Sequence, residues 1–514
     1  MKMKQKKGIF DKFLDGVEVV GNKLPHPMTI FVMLSLIVIA VSAICSKLGV
    51  SVDYTGINRK TFEIGEIHLK AKSLLSPEGI RYAFNSMTTN FTSFAPLGTV
   101  LVAIIGVGVA DGSGLIHACL RKLVLSTSPK LLTAVLVFAG IMSNIASDAG
   151  YVVLVPLGAV IFMSVGRHPL AGIAAAFAGV SGGFSANLLI GTLDPLLGGI
   201  STEAARIFIP DYVVLPTANW YFMVASTFLI TFLGTYITEK IVEPRLGKYK
   251  GSHKEELGEI GGLEKKGLKR AGISLVIYLI IVLAVTVPEN AIFRENGSIT
   301  NFMRNGLLPG IMFFFMIPGY FYGKTVGTIK TDKDLVKLIG NALGGMGGYM
   351  ALVFAAAQFI KYFSYTNLGT ILAVRGADAL EAIGFTGFPL IVGFVVVSAF
   401  LNLFMGSASA KWAIMAPVFI PMFMKLGFTP EFTQAMYRIG DSSTNIISPL
   451  MSYFAFIVAY AQKYDEDSGI GTLISTMLPY SLCFLFAWLL LLMVWYFAGL
   501  PIGPGVATTM QMAL

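Results

Sequence analysis

Long apolar stretches alternate with short polar connections along most of the chain. A helix needs about 20 consecutive, mainly apolar residues to cross the hydrocarbon core of a bilayer, and several stretches reach that length. The pattern therefore predicts an all-α polytopic membrane protein. Candidate spans lie at about 27–47, 96–122, 217–241, 269–289, 304–323, 345–365 and 471–498.

Two further apolar stretches, 130–200 and 388–464, are interrupted internally by clusters of Gly, Pro, Asn and Ser. A break in a membrane helix frees backbone amides and carbonyls, and because lipid cannot satisfy them they must face protein, an ion or a water-lined cavity. We expect each stretch to hold a re-entrant hairpin followed by a broken helix, giving about nine spans and two hairpins in all. The hairpins are predicted at about 130–166 and 388–427, and the broken helices at about 169–200 and 430–464.

The two interrupted stretches match each other at a constant offset along the sequence. Gly and Pro are where helices start, stop or break, so their agreement in register indicates a shared local structure, with coincidence in a Gly-rich chain as the alternative. The aligned pairs are Pro156 with Pro417, Gly166 with Gly427, Pro169 with Pro430, Gly179 with Gly440, Ser181 with Ser442, Asp148 with Ser409, and Tyr151 with Trp412.

The match divides the chain into two repeats, 27–241 and 304–498. Between them lies 242–303, a basic cytoplasmic linker and a connecting helix, so the second repeat is predicted to be inverted relative to the first. Inverted repeats with discontinuous helices are typical of secondary transporters, and the substrate site lies at the repeat interface. The remaining segments are a cytoplasmic N-terminal segment, 1–26, and a C-terminal tail, 499–514.

Composition and charge support a membrane location. The chain is 55% hydrophobic and 13% charged, a balance rare in soluble proteins of this length. Its net charge of +9 comes from Lys and Arg concentrated between apolar runs, and because basic loops stay cytoplasmic, Lys2 to Lys7 place the N-terminus inside. No basic stripe with interleaved aromatic residues occurs, so we expect contact with the lipid bilayer and no nucleic-acid partner.

The interruptions carry most of the candidate chemistry, with hairpin tips at 143–150 and 402–412 and breaks at 181–187 and 440–445. Freed helix N-termini attract anions, whereas carbonyl, Asn and Ser oxygens can coordinate a cation. The alternative is that these residues only satisfy helix ends at a packed interface. The candidate ligands for ion or substrate are Asn144, Asn187, Asn402 and Asn445. Of these, Asn144, Asn187 and Asn445 are the candidates for binding Na⁺. The first break is predicted at Gly183.

Charged residues also fall within these stretches, although each costs about 2.5–3.5 kcal/mol at the membrane centre. Asp148 and Asp194 are candidate proton relays, and Asp194 has the alternative role of capping the helix that restarts after it. Arg438 and Asp441 are spaced to pair on one helical face, either as a structural ion pair or in contact with substrate or proton. Lys411 lies in the same region.

Trp412 offers a flat apolar face and one indole donor, which suits stacking on an aromatic ligand at a hairpin tip. The common alternative for a membrane Trp is an interfacial belt, but the predicted tip lies too deep for that.

The motifs at the interruptions resemble those of the aminobenzoyl-glutamate transporter (AbgT) family. The resemblance covers essentially the whole chain and is strongest in GIMSNIASDAGYVVLVPLGAVIF, GFSANLLIGTLDPLL, and GSASAKWAIMAPVFIPMF followed by YRIGDSSTNIISPL. It implies a homodimer in the bacterial inner membrane that moves aminobenzoyl-glutamate or exports sulfonamide antimetabolites. The functional positions that it implies are Asp194, Ser409, Trp412, Pro430, Arg438, Asp441 and Pro449.

Direction of transport and the coupling ion, H⁺ or Na⁺, stay open, and no other cofactor is expected. A Na⁺-coupled dicarboxylate transporter of the same superfamily is the main alternative. An intramembrane enzyme is disfavoured, because the five His residues form no H-E-x-x-H motif and no Ser and His pair recurs within plausible core segments. A channel is disfavoured because two inverted broken-helix units indicate alternating access.

Overall fold

The computed structural model describes residues 25–57, 64–146, 149–249, 261–299, 301–302, 306–451 and 453–510. The part described is mainly helical, as predicted. In its first half the helices are α1 (Pro27–Lys47), α2 (Pro77–Asn85), α3 (Met87–Thr92), α4 (Ala95–Gly112), α5 (Leu115–Leu125), α6 (Leu132–Ser143), α7 (Ala149–Ser164), α8 (Pro169–Phe177), α9 (Leu193–Ala205), α10 (Trp220–Ile237) and α11 (Glu243–Leu246).

A long connecting helix then leads into the second half. The helices there are α12 (Gly262–Thr286), α13 (Leu307–Val326), α14 (Asp332–Gly344), α15 (Gly347–Tyr365), α16 (Leu368–Ala382), α17 (Gly387–Asn402), α18 (Ala408–Lys425), α19 (Pro430–Asn445), α20 (Phe454–Ala461) and α21 (Ile470–Phe497).

Four helical segments are long and apolar enough to cross a membrane: 27–47, 220–246, 262–286 and 470–497. Two bent pairs, α4 with α5 at 58° and α14 with α15 at 44°, raise the number to six within the described residues if each pair is one span. Few side chains of helix α12 are buried inside the protein, so most of its surface is available to lipid. These helices confirm the predicted class of helical membrane protein, and the number of nine spans stays a prediction.

One element was not predicted. The connection after α1 contains an antiparallel pair of strands, β1 (Ser51–Ile57) and β2 (Ile64–Lys70), paired from Ser51 opposite Lys70 to Ile57 opposite Ile64. The strands are short, and their apolar residues do not form the long runs that mark the membrane helices, so the hydropathy pattern passes over them.

The predicted hairpins coincide with two helix pairs, α6 with α7 and α17 with α18. Phe394 of α17 contacts both Phe419 and Phe423 of α18, with ring centroids 4.9 and 5.0 Å apart. Pro156 and Pro417, aligned by the repeat, both lie inside the second helix of their pair. The membrane face from which each pair enters stays a prediction.

Both hairpins end in the same turn. Gly166 and Gly427 have positive φ values of +74° and +85°, a region that favours glycine. In each turn the glycine N–H donates to the carbonyl three residues before it, at 3.0 Å. The next residue, Arg167 or Phe428, donates to the carbonyl five residues back, at 2.8 and 2.9 Å respectively. The repeat in the sequence is thus a repeat in backbone structure.

Close helix packing explains a second aligned pair. A Cβ at Gly179 would lie 2.3 Å from the Val137 carbonyl oxygen on α6, and one at Gly440 would lie 2.6 Å from the Val395 carbonyl oxygen on α17. Each glycine therefore lets the helix after a hairpin approach the hairpin's first helix at backbone distance.

The first break lies where it was predicted, but the second does not. After α8 a π-helical turn, Ala178–Gly182, leads into irregular backbone that ends where α9 begins. In the second repeat, residues 440–445 continue α19, and the residues described between α19 and α20, 446–451 and 453, are irregular. The Ser443 and Thr444 hydroxyls donate to the carbonyls of Ile439 and Gly440, at 2.7 and 2.8 Å, so this polar run is compatible with the helix.

Candidate functional site

Helix α19 is the centre of the candidate site. Every one of its residues is buried, although the sequence PEFTQAMYRIGDSSTN is largely polar. Buried polar and charged groups need partners, so the contacts of this helix define the chemistry of the site. Thr429 is the N-cap of this helix. Its hydroxyl accepts from the Phe432 N–H and donates to the Ala507 carbonyl in the C-terminal segment.

A buried ion pair joins the second hairpin to α19. The Lys411 ammonium on α18 lies 2.6 Å from Asp441 Oδ1, and both side chains are at most 2% exposed. The ammonium also donates to the Asn402 side-chain oxygen and, at 3.4 Å, to the Met405 carbonyl. Three oxygens therefore surround one ammonium at the hairpin tip.

Asn402, the last residue of α17, links this ion pair to the end of α19. Its amide nitrogen lies 2.7 Å from the Asp441 carbonyl oxygen, 3.0 Å from Thr444 Oγ1 and 2.9 Å from Asn445 Oδ1, so these three acceptors share its two N–H donors. Because the nitrogen faces three acceptors and the oxygen faces the ammonium, the orientation of the amide is fixed by its surroundings. The structure thus brings together the predicted residues Asn402, Asp441 and Asn445.

The first repeat has the corresponding arrangement without an ammonium. Asn144 lies just after α6, and its amide nitrogen donates to the Ile141 carbonyl at 3.2 Å and to the Gly183 carbonyl at 3.5 Å. Asn187 donates to the same Ile141 carbonyl at 3.2 Å. The predicted residues Asn144, Gly183 and Asn187 therefore meet at the first hairpin tip.

Several oxygens of the first repeat lack a donor. Asn144 Oδ1, Ser181 Oγ and Ser185 Oγ are buried and have no hydrogen-bond partner among the described residues. At the broken helices of transporters, Na⁺ is coordinated by neutral oxygens of this kind. These three oxygens therefore fit a cation as ligands. Asp148, the other predicted residue of this tip, lies outside the described residues.

A second buried ion pair crosses between the repeats. Arg438 Nη2 lies 2.7 Å from Asp194 Oδ1, and these side chains are 5% and 3% exposed. The other carboxylate oxygen of Asp194 accepts from the Gly191 N–H at 2.8 Å, at the start of α9. The contact with Arg438 is an ion pair without an aligned hydrogen bond, because Asp194 Oδ1 and Arg438 Nε have no hydrogen-bond partner among the described residues.

This pairing corrects the predicted partner of Arg438. The sequence spacing favoured Asp441, three residues further along the helix, but that carboxylate is paired with Lys411. Arg438 reaches instead to a carboxylate of the other repeat. Helical spacing brings two side chains to one face, but it cannot show which of several buried counter-ions is nearer.

The predicted capping role of Asp194 is also corrected, because α9 begins at Leu193 with Thr192 as its N-cap, and Asp194 in the first turn accepts from the Gly191 N–H. Its role as a proton relay stays a prediction.

Trp412 also crosses between the repeats. Its indole N–H donates to Ser201 Oγ on α9 at 3.0 Å, and its ring stacks on Tyr437 with centroids 4.5 Å apart. The side chain is fully buried, so in this conformation Tyr437 occupies one face of the indole. Stacking on a substrate ring stays a prediction for Trp412.

The aligned residue of the first repeat makes the reciprocal contact. Tyr151 on α7 stacks on Tyr453, just before α20, with centroids 4.7 Å apart and planes 4° apart. We refer to these two interactions, Tyr151 with Tyr453 and Trp412 with Ser201, as the crossed contacts. Each hairpin is thereby attached to the broken helix of the other repeat.

The remaining predicted residues lie around these contacts. Pro430 begins α19, Ser409 is half-buried in the first turn of α18 with its hydroxyl 3.5 Å from that of Ser407, and Pro449 lies half-buried in the second break. The adjacent Ser448 hydroxyl donates to the Asn402 carbonyl at 3.1 Å. A cavity of about 210 Å³ adjoins this tip, between Phe404 to Ser407 and the start of α1.

Some buried polar residues were not assigned a role from the sequence. Lys411 was noted as a buried charge but given no partner. Glu203 on α9 is 1% exposed and pairs with Lys361 on α15 at 2.7 Å and with Arg206 at 3.3 Å. The signal available in the sequence was only the cost of a charge in an apolar region, which identifies such residues but not their partners.

Glu431 in the first turn of α19 has a partner in the connection after α9. The Tyr212 hydroxyl donates to Glu431 Oε2 at 2.9 Å. Burial, followed by the nearby carboxylate, raises the pKa of Tyr212 well above its usual range, so the phenol stays a donor. These residues line a cavity of about 730 Å³ together with Asp211 and the C-terminal segment.

Comparisons with known proteins give one consistent result. The model of the AbgT putative transporter family matches residues 12–510. The p-aminobenzoyl-glutamate transport protein of Escherichia coli (strain K12) is 40% identical over 499 residues, which are 96% of this chain and 96% of that protein.

Two solved structures resemble the whole fold. Neisseria gonorrhoeae MtrF, described as illuminating a class of antimetabolite efflux pumps, is 48% identical with a TM-score of 0.90, covering 96% of this chain and 100% of that one. The Alcanivorax borkumensis YdaH transporter, described as having an unusual topology, is 44% identical with a TM-score of 0.87, covering 93% of this chain and 100% of that one.

Proposed function

Because the chain belongs to the AbgT family of transporters, we propose that it carries aromatic carboxylates of the aminobenzoyl-glutamate type, or sulfonamide antimetabolites that share the aromatic ring, driven by an ion gradient. The name of the E. coli relative supports the first substrate and the description of MtrF supports the second. The proposal includes a homodimer in a bacterial inner membrane with a cytoplasmic N-terminus.

The observation that carries the proposal is the meeting of Arg438 and Trp412 with α9 at the boundary between the repeats. A guanidinium binds carboxylates, and an indole face binds aromatic rings. An aminobenzoyl-glutamate offers both groups, whereas a sulfonamide offers only the ring. Since both side chains are occupied by protein partners in this conformation, substrate binding requires that these contacts open.

The same pair supports a proposal of proton coupling. A substrate carboxylate that takes the place of Asp194 beside Arg438 leaves Asp194 as an uncompensated buried charge. A buried charge without a counter-ion is costly, and this cost is the basis for proposing Asp194 as the proton relay. Sodium coupling is supported by the side-chain oxygens of Asn144, Ser181 and Ser185, which are buried and have no hydrogen-bond partner among the described residues.

The deciding experiment is uptake by proteoliposomes that contain the purified full-length protein. Labelled aminobenzoyl-glutamate, a labelled sulfonamide and a labelled dicarboxylate are each tested under an imposed proton gradient, an imposed Na⁺ gradient or neither. We expect gradient-dependent movement of at least one aromatic substrate. Asp441→Asn is expected to reduce this flux, whereas Lys425→Ala is the matched control, because Lys425 lies on α18 but pairs with the half-exposed Asp378.

The outcomes separate the alternatives. Movement of the dicarboxylate alone would assign the chain to a different substrate class, and no gradient-dependent movement of any compound would contradict coupled transport. Hydrolysis of aminobenzoyl-glutamate by the purified protein would contradict a purely transporting role.

A further inference from the structure

The two repeats differ at one position in a way that bears on ion coupling. Register aligns Lys411 with Gly150 and Asp441 with Val180. A Cβ at Gly150 would lie 3.0 Å from Val180 Cγ1, so Gly150 faces Val180 in the first repeat as Lys411 faces Asp441 in the second. The ion pair of the second repeat therefore stands where the first repeat has the uncharged residues Gly150 and Val180.

We propose that the Lys411 ammonium is a tethered cation that takes the place of a coupling cation in the second repeat, so that only the first repeat exchanges a free cation with solution. The proposal rests on the proposed function, because coupling has meaning only for a transporter. It assigns Lys411 as a residue that sets the ion stoichiometry.

The surroundings of the ammonium support this assignment. Its partners are one carboxylate oxygen, one amide oxygen and one backbone carbonyl, from Asp441, Asn402 and Met405. Hard cations such as Na⁺ are bound by these same oxygen types at broken helices. An ammonium has three donors and no acceptor, so it satisfies such a set as a cation does.

The first repeat leaves the corresponding oxygens without donors. Asn144 Oδ1 has no partner among the described residues, whereas Asn402 Oδ1 at the other tip accepts from Lys411. The aligned hydroxyls of Ser181 and Ser442 are without partners in both repeats within the same described part of the chain. The feature that distinguishes the tips is therefore the ammonium and its counter-charge Asp441.

The proposal predicts a gain of cation binding when the ammonium is removed. Lys411→Ala leaves the Asp441 carboxylate buried and unpaired, which destabilises the fold unless a free cation replaces the ammonium. The experiment measures the melting temperature of the purified protein in choline buffer during titration with Na⁺ or methylammonium. Each variant is placed in an Asn144→Leu background, so that a cation response of the first repeat does not contribute.

We expect Lys411→Ala to gain a saturable rise of about 2 °C or more in melting temperature with Na⁺ or methylammonium. Lys411→Arg keeps the charge and is expected to show no new response. Lys425→Ala, on the same helix but partly exposed, is the matched control and is also expected to show none. A response of Lys411→Ala no larger than that of Lys425→Ala would overturn the proposal.

A second measurement applies if Lys411→Ala does not fold. The number of cations moved per substrate by the otherwise unchanged protein is obtained from the reversal of flux in proteoliposomes. With protons counted separately, one Na⁺ per substrate is expected, and a ratio of two Na⁺ per substrate would overturn the tethered-cation proposal. Because the melting experiment does not depend on transport, absence of gradient-driven flux would reject the proposed function while the cation response of Lys411→Ala still decides this inference.

Discussion

Arg438 of the second repeat and Asp194 of the first are paired across the repeat boundary, with 2.7 Å between guanidinium nitrogen and carboxylate oxygen. Both are nearly inaccessible to solvent, so neither charge can be removed alone without leaving the other uncompensated. The substrate-binding and ion-coupling roles proposed for these residues therefore depend on one shared contact.

Arg438→Gln is expected to destabilise the protein by about 3–5 kcal/mol, because it leaves the Asp194 charge buried without a counter-ion. Thermal unfolding in detergent measures the loss. The double variant Asp194→Asn with Arg438→Gln is expected to recover much of the stability but no coupled transport. Arg245→Gln is the control, since Arg245 is exposed and bonds only to Ser475 among the described residues. Equal losses at positions 245 and 438 would contradict the pairing.

Trp412→Ala is expected to weaken transport of aromatic substrates more than that of a non-aromatic carboxylate, because only an aromatic ligand uses the indole face. Competition of unlabelled compounds against labelled uptake measures the difference. Trp488→Ala is the matched control, because Trp488 is equally buried and its indole donates to Ser226 at 2.6 Å, in a different part of the fold. Equal effects on both ligand classes would indicate a packing role for Trp412.

Asn144→Leu is expected to raise the Na⁺ concentration for half-maximal transport by about tenfold or more, the change that follows from losing about 1.4 kcal/mol of binding. The physical reason is the loss of the donor-free oxygen at the first hairpin tip. Asn90→Leu is the control, since Asn90 is also buried but bonds to Gln358 at 3.0 Å. A protein that responds only to protons, with or without Asn144, would contradict a Na⁺ site there.

Gly440→Ala is expected to destabilise the protein by about 1–3 kcal/mol, because the added methyl group would overlap the α17 backbone. Gly272→Ala is the helical control, since a Cβ there would meet nothing within 4 Å. Thermal unfolding of both variants checks the difference. Unchanged stability of Gly440→Ala would show that α17 and α19 can separate at no cost.

Local sequence signals predicted the parts of the fold that local chemistry determines. Gly166 and Gly427 end both hairpins in the same turn, because a positive φ is required there whatever lies nearby. The second break begins after residue 445 and not at the predicted 440–445, because the hydroxyls of Ser443 and Thr444 bond to carbonyls of their own helix. A run of polar residues therefore does not by itself end a helix.

Partners that come from distant segments could not be predicted in this way. The site residues were identified because charges and amides in apolar stretches are costly, but Arg438 pairs 244 positions away in sequence with Asp194, and Trp412 with Ser201 211 positions away. Such pairs depend on how the two repeats dock. The hydropathy pattern of either repeat carries no information about that docking.

The crossed contacts have a consequence for how the protein is assembled. Tyr151 stacks on a ring of the opposite half of the chain, and Trp412 donates its indole N–H to a hydroxyl of the opposite half. Each half alone lacks the partner of one hairpin, so we expect the smallest stable folding unit to be the two halves together. If the chain were divided at the basic linker, the two fragments would have to be synthesised together in one membrane to become resistant to proteolysis.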